Sequence, residues 1–162
     1  IDAVLAALND PDSEDAARRA RAVALIARHF DFEDMTRRTL ATNWDKADAA
    51  QRARIVALFR ELLVNTYRTQ LAAYRNQKVE ILAEESRGED TATVRTLIHA
   101  RAPVPVDYKL HRTHGAWLAY DVVIEQVSLV RNYRGAFLDA VHDGGIEGLI
   151  AHLEARVQEA SS

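Results

Sequence analysis

Asp121 and Glu125 are the first residues whose type and spacing suggest chemistry, because two nearby carboxylates can act as general acid and general base. They lie four residues apart in one predicted strand, so strand alternation places both side chains on the same face. The apolar residues of that strand lie on the opposite face, and we assign them to the core. Arg95 or Lys109 on a neighbouring strand would neutralise the carboxylates. The pattern therefore favours a structural ion pair over catalysis.

Histidine is the other residue type that could carry chemistry here. None of the histidines is spaced from a second ligand in a metal-binding pattern. His99 and His111 are predicted on adjacent strands, where they could face each other, but two surface histidines are the favoured interpretation. The sequence has no Gly-rich phosphate loop, no H-E-x-x-H, no G-x-S-x-G and no cysteine. We therefore expect neither an enzyme nor a metal centre. The six histidines are His29, His99, His111, His114, His142 and His152.

The carboxylates belong to a segment, residues 117–137, in which a predicted strand passes directly into a predicted helix. Tyr120, Val122 and Ile124 alternate along one face of the strand. Ser128 lies where a helix cap is needed, because its hydroxyl can accept from a free backbone N–H of the first turn. The helix is amphipathic, with an apolar residue at every fourth position. These positions are Leu129, Tyr133, Phe137 and Val141.

Helices are predicted before this segment. The first two are residues 1–8 and a helix capped by Ser13, and Asp31 begins the third. Asp48 and Gln51 form a capping-box pair that opens the longest helix, which extends to about residue 74. Its apolar residues form one stripe and its charged residues another, which we interpret as a solvated face. The charged stripe is Arg54, Glu61, Arg68 and Arg75.

Between residues 77 and 127 the hydrophobic period changes from helical to two, which predicts four strands. Because no helix separates them, they form an antiparallel meander. Helices follow again, one ending at Gly144-Gly145 and a last one over 146–157. The predicted fold is a single α+β domain over residues 1–162, with a curved four-stranded sheet covered by several helices. The strands are predicted at Gln77–Ala83, Ala92–Ala102, Val104–Arg112 and Ala116–Val127.

Composition excludes several classes of partner. The formal net charge of −3 and the pI near 6.1 do not fit a nucleic-acid-binding protein, which needs a concentrated basic face. No apolar run approaches the roughly 20 residues of a membrane span. The sequence begins at Ile1 rather than methionine, so we expect that a leader has been removed or that the sequence has been trimmed.

The segment W-L-A-Y-D-V-V-I-E-Q-V-S-L-V-R-N-Y-R-G-A-F resembles the signature of the MlaC or toluene-tolerance family, whose usual form is close to W-x-V-Y-D-V-x-I-E-G-V-S-L-V-x-N-Y-R-x-x-F. Three more segments agree with that family, and together the similarity extends over residues 30–153. One departure is Gln126, which stands where glycine is usual. The three segments are F-D-F-E-D-M-T at 30–36, N-W-D-K-A-D-A-A-Q-R at 43–52 and G-I-E-G-L-I-A-H-L at 145–153.

This resemblance implies a periplasmic carrier of phospholipid in Gram-negative bacteria. The family moves lipid between the two membranes and thereby maintains outer-membrane lipid asymmetry. The implied partners are an outer-membrane lipoprotein–porin complex and an inner-membrane ABC transporter with a ring of MCE domains. The lipid tails would lie in a deep apolar cavity between sheet and helices, with the head group near the mouth. We expect a monomer with no cofactor other than its phospholipid cargo.

We expect the lipid cavity to be lined by apolar or aromatic residues that lie on the inner side of each predicted element. Asn132 and Arg134 also belong to the signature, and we expect them to bond the helix to the sheet, with a phosphate contact by Arg134 as the alternative. The expected lining residues are Phe32, Met35, Phe59, Leu63, Tyr67, Val79, Val94, Ile98, Val106, Tyr108, Tyr120, Val122, Ile124, Leu129, Tyr133 and Ile150.

Three other functions compete with the phospholipid carrier. The same fold could carry a hopanoid or another rigid isoprenoid. A small enzyme with a cone-shaped α+β cavity would require Asp121 or His99 to point inward. An interaction adaptor would have a filled core and would use the charged stripe as its surface, because periodicity does not distinguish a filled core from a lined cavity.

Overall fold

A computed structural model of the chain describes residues 15–72 and 78–161. It confirms the predicted α+β class. These residues form two compact units. The first unit comprises 15–30, 67–72 and 78–126, and the second comprises 31–66 and 127–161. The predicted helix at residues 1–8 and the Ser13 cap lie outside the described residues, and the predicted deep cavity stays a prediction.

The first unit is a meander of long antiparallel strands preceded by a helix. Helix α1 is Asp15–Ala27, and the strands are β1 (Lys78–Arg87), β2 (Thr91–His99), β3 (Val104–Thr113) and β4 (Ala116–Ile124). Successive strands pair with each other, as the absence of intervening helices predicted.

The chain after α1 lies along the outer edge of β4. There the backbone N–H of Ala119 donates to the carbonyl of His29 at 2.8 Å, and Phe30 forms a parallel bridge with Ala119.

The strands differ in length from the predicted ones. β1 extends to Arg87 instead of ending at Ala83, because the four polar residues Glu84–Arg87 all pair with β2. Cross-strand pairing thus overrides the low strand propensity of these residues. β2 ends at His99 instead of residue 102, and β4 ends at Ile124 instead of Val127.

The early end of β4 has a backbone cause. Glu125 and Gln126 have φ of 48° and 69°, and two successive residues with positive φ form the tight turn that joins hairpin strands. A two-residue strand, β5 (Val127–Ser128), follows, so the sheet order is β1-β2-β3-β4-β5 rather than four strands.

The second unit is helical apart from β5. It contains α2 (Phe32–Leu40), a 3₁₀ helix (Ala41–Lys46), the part of α3 (Ala49–Ala72) up to residue 66, and α4 (Leu129–Ser161). The backbone of α4 leaves helical geometry at Gly145, where φ is 67°. This is where the sequence predicted one helix to end and another to begin. No helix among residues 15–72 and 78–161 is both long enough and apolar enough to cross a membrane.

The predicted helix caps are present in the second unit. The Asp31 carboxylate accepts from the backbone N–H of Asp34 at 3.0 Å. Asp48 and Gln51 satisfy each other's backbone N–H groups at 2.8 and 3.0 Å, which is the capping box. The Ser128 hydroxyl accepts from the N–H of Arg131 at 3.2 Å. Each cap joins residues only three positions apart.

Candidate functional site

Cross-strand partners place most of the apolar residues of strands β1–β4 on one face of the sheet. Residues directly opposite each other on paired strands share a face. The partners form parallel rows that cross the sheet, and we call the face that they form the apolar face. Its rows are Val79–Ile98–Val104, Ile81–Thr96–Val106–Ile124, Glu84–Val94–Tyr108–Val122, Ser86–Ala92–Leu110–Ala119 and finally Arg112–Trp117.

The apolar face changes character along the strands. The two rows at one end are aliphatic except for Thr96, whose buried hydroxyl donates to the Val106 carbonyl at 2.7 Å. At the other end Arg112 lies opposite Trp117, with its guanidinium carbon 5.9 Å from the ring centroid. Along β2, β3 and β4 burial follows the same direction, because Ile98 and Val106 are buried whereas Arg112 and Trp117 are exposed. Ile81 on the edge strand β1 is exposed. On these three strands the face therefore has a more buried hydrocarbon end and an exposed polar end.

Seven of the predicted lining residues lie on the apolar face, and this common placement is the principal agreement between sequence pattern and structure. Three of the seven are buried and four are half-buried, so the half-buried ones keep accessible surface. The seven are Val79, Val94, Ile98, Val106, Tyr108, Val122 and Ile124.

Tyr120 does not share the apolar face, so its assignment to the same face as Val122 and Ile124 is wrong. The register of β4 shifts at this point, because Asp121 and Ala119 pair with the successive residues Lys109 and Leu110 and leave Tyr120 as an extra residue. Its ring contacts that of His111 at a centroid distance of 5.5 Å. By alternation along β3, His111 belongs to the opposite face.

The remaining predicted lining residues lie on helices. Phe32, Met35, Phe59, Leu63, Leu129, Tyr133 and Ile150 are in the second unit, and Tyr67 is in the first. Met35 and Phe59 have relative exposures of 1% and 0%, so they have almost no surface to offer a ligand. Phe32, Tyr133, Ile150 and Tyr67 are half-buried, and the Arg60 guanidinium lies over the Phe32 ring at 5.5 Å.

Three aromatic rings form the centre of the second unit. Phe59 makes edge contacts with Tyr133 at 5.2 Å and with Phe137 at 5.0 Å between centroids. Edge contacts of this kind favour one fixed arrangement of the rings. Burial raises the pKa of the Tyr133 hydroxyl, while Arg156 and a hydrogen bond with Thr66 act to lower it. Because the Tyr133 and Phe137 rings pack against it, Phe59 is a packing residue in this structure, and its contact with a ligand stays a prediction.

The acidic and histidine candidates occupy separate positions in the structure. His99 and His111 are not opposite each other, since their partners are Lys78 on β1 and Thr91 on β2. His99 Nε2 instead forms a hydrogen bond with the Glu80 carboxylate at 2.7 Å. Among the residues that the structure describes, no three His, Cys, Asp or Glu side chains are grouped so as to hold a metal ion.

The two carboxylates differ in environment. Asp121 is buried, lies opposite Lys109 in the register, and accepts from the backbone N–H of Val122 at 2.8 Å. Glu125 is exposed in the turn after β4, where its backbone N–H donates to the Pro105 carbonyl at 3.0 Å. A turn residue does not follow strand alternation, so the predicted common face of Asp121 and Glu125 is wrong.

Sequence reasoning missed an ionic network on α2, in which two accessible arginines surround the buried Asp34 carboxylate. The Asp34 carboxylate accepts from Arg38 Nε at 2.8 Å and from Arg37. Burial alone would raise the pKa of Asp34, but the hydrogen bonds from Arg38 and Arg37 hold its pKa below the ordinary value. The Arg134 guanidinium donates to the Arg38 carbonyl at 2.9 Å, so Arg134 ties α4 to α2 rather than to a strand. An acid followed by arginines three and four residues later was the available signal.

Comparison with known proteins extends this description. A family model described as MlaC protein matches residues 1–155 of the chain. The chain is also similar to the solved structure of the phospholipid-binding protein from Ralstonia solanacearum, which was determined in complex with a phospholipid. The two chains are 28% identical with a TM-score of 0.89, and the match covers 99% of this chain and 94% of the other. The likeness therefore extends over almost the full length of both.

Proposed function

Because the chain belongs to the MlaC family, we propose that it binds a phospholipid and carries it between membranes. The observation that carries the proposal is the likeness, over nearly the whole chain, to a structure that holds a phospholipid. The proposal includes a single lipid-binding domain over residues 1–162 and a binding protein rather than an enzyme, with no cofactor besides the lipid.

The apolar face gives this proposal a physical basis. A diacyl lipid exposes roughly 30 methylenes, and at about 0.8 kcal/mol for each its tails cost on the order of 20 kcal/mol in water. A carrier must hide most of that surface, and long aliphatic side chains do so without directional bonds, so that tails of different length are tolerated. Half-buried residues such as Val94, Tyr108 and Ile124 retain the surface that this contact needs.

We assign the contacts with the lipid tails first to the seven residues of the apolar face. Phe32, Leu63, Tyr67, Leu129, Tyr133 and Ile150 complete the proposed lining. We give Met35 and Phe59 no direct contact with the tails, because their own surface is almost wholly covered. Tyr120 would contact a lipid only from the opposite face of the sheet, and we give it no part in tail binding.

The cellular setting follows from the family. The proposal places the protein in the periplasm, as a monomer that receives lipid from one membrane complex and delivers it to another. These complexes are the outer-membrane lipoprotein–porin complex and the inner-membrane ABC transporter with MCE domains. Release to a partner requires contacts that can be exchanged, which suits a lining of non-directional apolar contacts better than one of buried ion pairs.

Native mass spectrometry of the purified protein, followed by solvent extraction, tests the proposal. We expect a mass increment equal to one diacyl phospholipid and the same lipid in the extract. Extraction of an isoprenoid would mean that the protein carries a hopanoid or another rigid isoprenoid instead of a phospholipid. A bare protein that also fails to take up labelled phospholipid would contradict the carrier function and favour an adaptor with a filled core.

A further inference from the structure

The exposed polar end of the apolar face has the composition of a phosphate site. We propose that Arg112 and Trp117 bind the phosphate of the carried phospholipid, with the tails directed toward the row that contains Val104. The inference rests on the proposed function and adds to it the orientation of the lipid and the residues that hold the head group.

The length of the apolar face fits one lipid in this orientation. From Val104 to Leu110 on β3 there are six residue steps, which at about 3.3 Å each span about 20 Å. One leaflet of a bilayer has half of the roughly 30 Å hydrocarbon thickness, so lipid tails need about 15 Å. Tails of this length that begin at the Leu110 row would end near the Val106 row, and the phosphate would then lie beside Arg112, the next residue of β3 on the same face.

The chemistry of Arg112 also fits a phosphate. Its guanidinium has five N–H donors in a planar fork that matches phosphate oxygens. Nε and Nη2 lie 3.4 and 3.3 Å from the Asp90 carboxylate, which is longer than the usual hydrogen bond of about 2.9 Å. Both side chains of this pair are accessible to solvent, at 45% and 72%, so water screens their attraction. A bidentate phosphate can compete with such a partner.

Trp117 supplies the second part of the site. Its ring lies opposite Arg112 in the register and beneath the guanidinium, so it restricts the positions that the cation can take. Tryptophan prefers the boundary between hydrocarbon and water, because its ring is apolar and its N–H is a donor. On this face it lies where the hydrocarbon rows end and the exposed row begins.

Arg95 provides a matched control. It is 52% exposed, close to the 45% of Arg112, and it also pairs with a carboxylate, Glu85, at 3.4 Å. Arg95 differs from Arg112 in its position, because its cross-strand partner is Asp107 and both residues lie on the face of the sheet opposite to the apolar face. Arg112→Gln and Arg95→Gln therefore remove similar charges from similar surroundings.

The test compares delipidated wild-type protein with these two variants, using phosphatidic acid and a diacylglycerol with the same acyl chains. We expect Arg112→Gln to raise the Kd for phosphatidic acid about tenfold and to change the Kd for diacylglycerol less than twofold. Arg95→Gln should leave both unchanged. Glycerol 3-phosphate at the lipid's own concentration should displace neither lipid, because it has no tails.

Several results would overturn the inference. Equal loss of both lipids in Arg112→Gln would mean that Arg112 acts through the structure of the face. An unchanged Kd for phosphatidic acid would exclude the phosphate contact while leaving the carrier function intact. Displacement by glycerol 3-phosphate would indicate a site for free anions. Wild-type protein that binds neither lipid would refute the carrier function as well. Circular dichroism of each variant confirms that it is folded.

Discussion

At the scale of single residues, Gln126 occupies a backbone position that favours glycine. Its φ of 69° lies in the left-handed region, which costs an ordinary residue about 1 kcal/mol or more. Glutamine replaces the glycine of the related signature at this position. The preceding Glu125 also has a positive φ, so the turn between β4 and β5 contains two strained residues in succession. The glycine of the signature is therefore explained by the turn and not by a strand bulge.

Gln126→Gly should consequently stabilise the protein. Relief of the left-handed conformation outweighs the greater freedom of glycine in the unfolded chain, and we expect a net gain of about 0.5–1 kcal/mol. Urea unfolding at equilibrium measures it, with Gln126→Ala as the matched control, because alanine removes the side chain but keeps the Cβ. Equal stabilisation by both variants would contradict a backbone cause and point to the Gln126 side chain.

At the scale of elements, the caps were predictable and the strand register was not. Asp48 and Gln51 satisfy each other's backbone groups because they are three residues apart, a relation that the sequence alone specifies. The extra residues of β1 and β4, Leu82 and Tyr120, are set by which residue of the neighbouring strand each pairs with. Local alternation contains no such information, so it placed Tyr120 on the wrong face.

The candidate site shows the same division. Alternation in β2 and β3 found Val94, Ile98 and Val106 because these strands pair without a register shift. The helical period of α3 found Phe59, but it did not show that two other rings cover it. A period identifies the side of an element that is apolar. It does not report how much of each side chain neighbouring residues already cover, and a ligand can use only what remains.

The face assignment leads to a prediction on two adjacent residues. Val122 lies on the apolar face opposite Tyr108, whereas Val123 lies on the other face opposite Asp107. Val122→Arg should abolish retention of phospholipid, because an unpaired guanidinium among lipid tails costs several kcal/mol in desolvation. Val123→Arg should retain the lipid. Native mass spectrometry reports the bound fraction in each folded variant.

Because Val122 is buried, the Val122→Arg protein could fail to fold, and a third variant is therefore needed at a more accessible position. Val94 is half-buried in the same row, and a lysine there can extend its amine toward water along its flexible stem. We expect Val94→Lys to remain folded and to lose at least half of its lipid. Retention of lipid by a folded Val122→Arg or Val94→Lys protein, at the level of Val123→Arg, would contradict the assignment of the apolar face.

At the scale of the whole molecule, a carrier gains stability from its cargo. A ligand that binds only the folded state raises the free energy of unfolding by about 2.7 kcal/mol at a hundredfold excess over its Kd. For a chain of 162 residues, each kcal/mol corresponds to about 2–4 °C in Tm. We therefore expect the delipidated protein to melt about 5–10 °C below the loaded protein. Phospholipid added back should restore the difference in a concentration-dependent manner.

Thermal unfolding followed by circular dichroism measures this shift, and two controls define its cause. Glycerol 3-phosphate should leave the Tm of the delipidated protein unchanged, since tail burial supplies most of the binding free energy. The Arg95→Gln variant should respond to phospholipid as the wild type does, because Arg95 lies on the face opposite to the one that binds the lipid. The delipidated protein could instead have the same Tm as the loaded protein, with no rise on addition of phospholipid. That result would mean that other residues of the chain already cover the apolar face and that it binds no lipid.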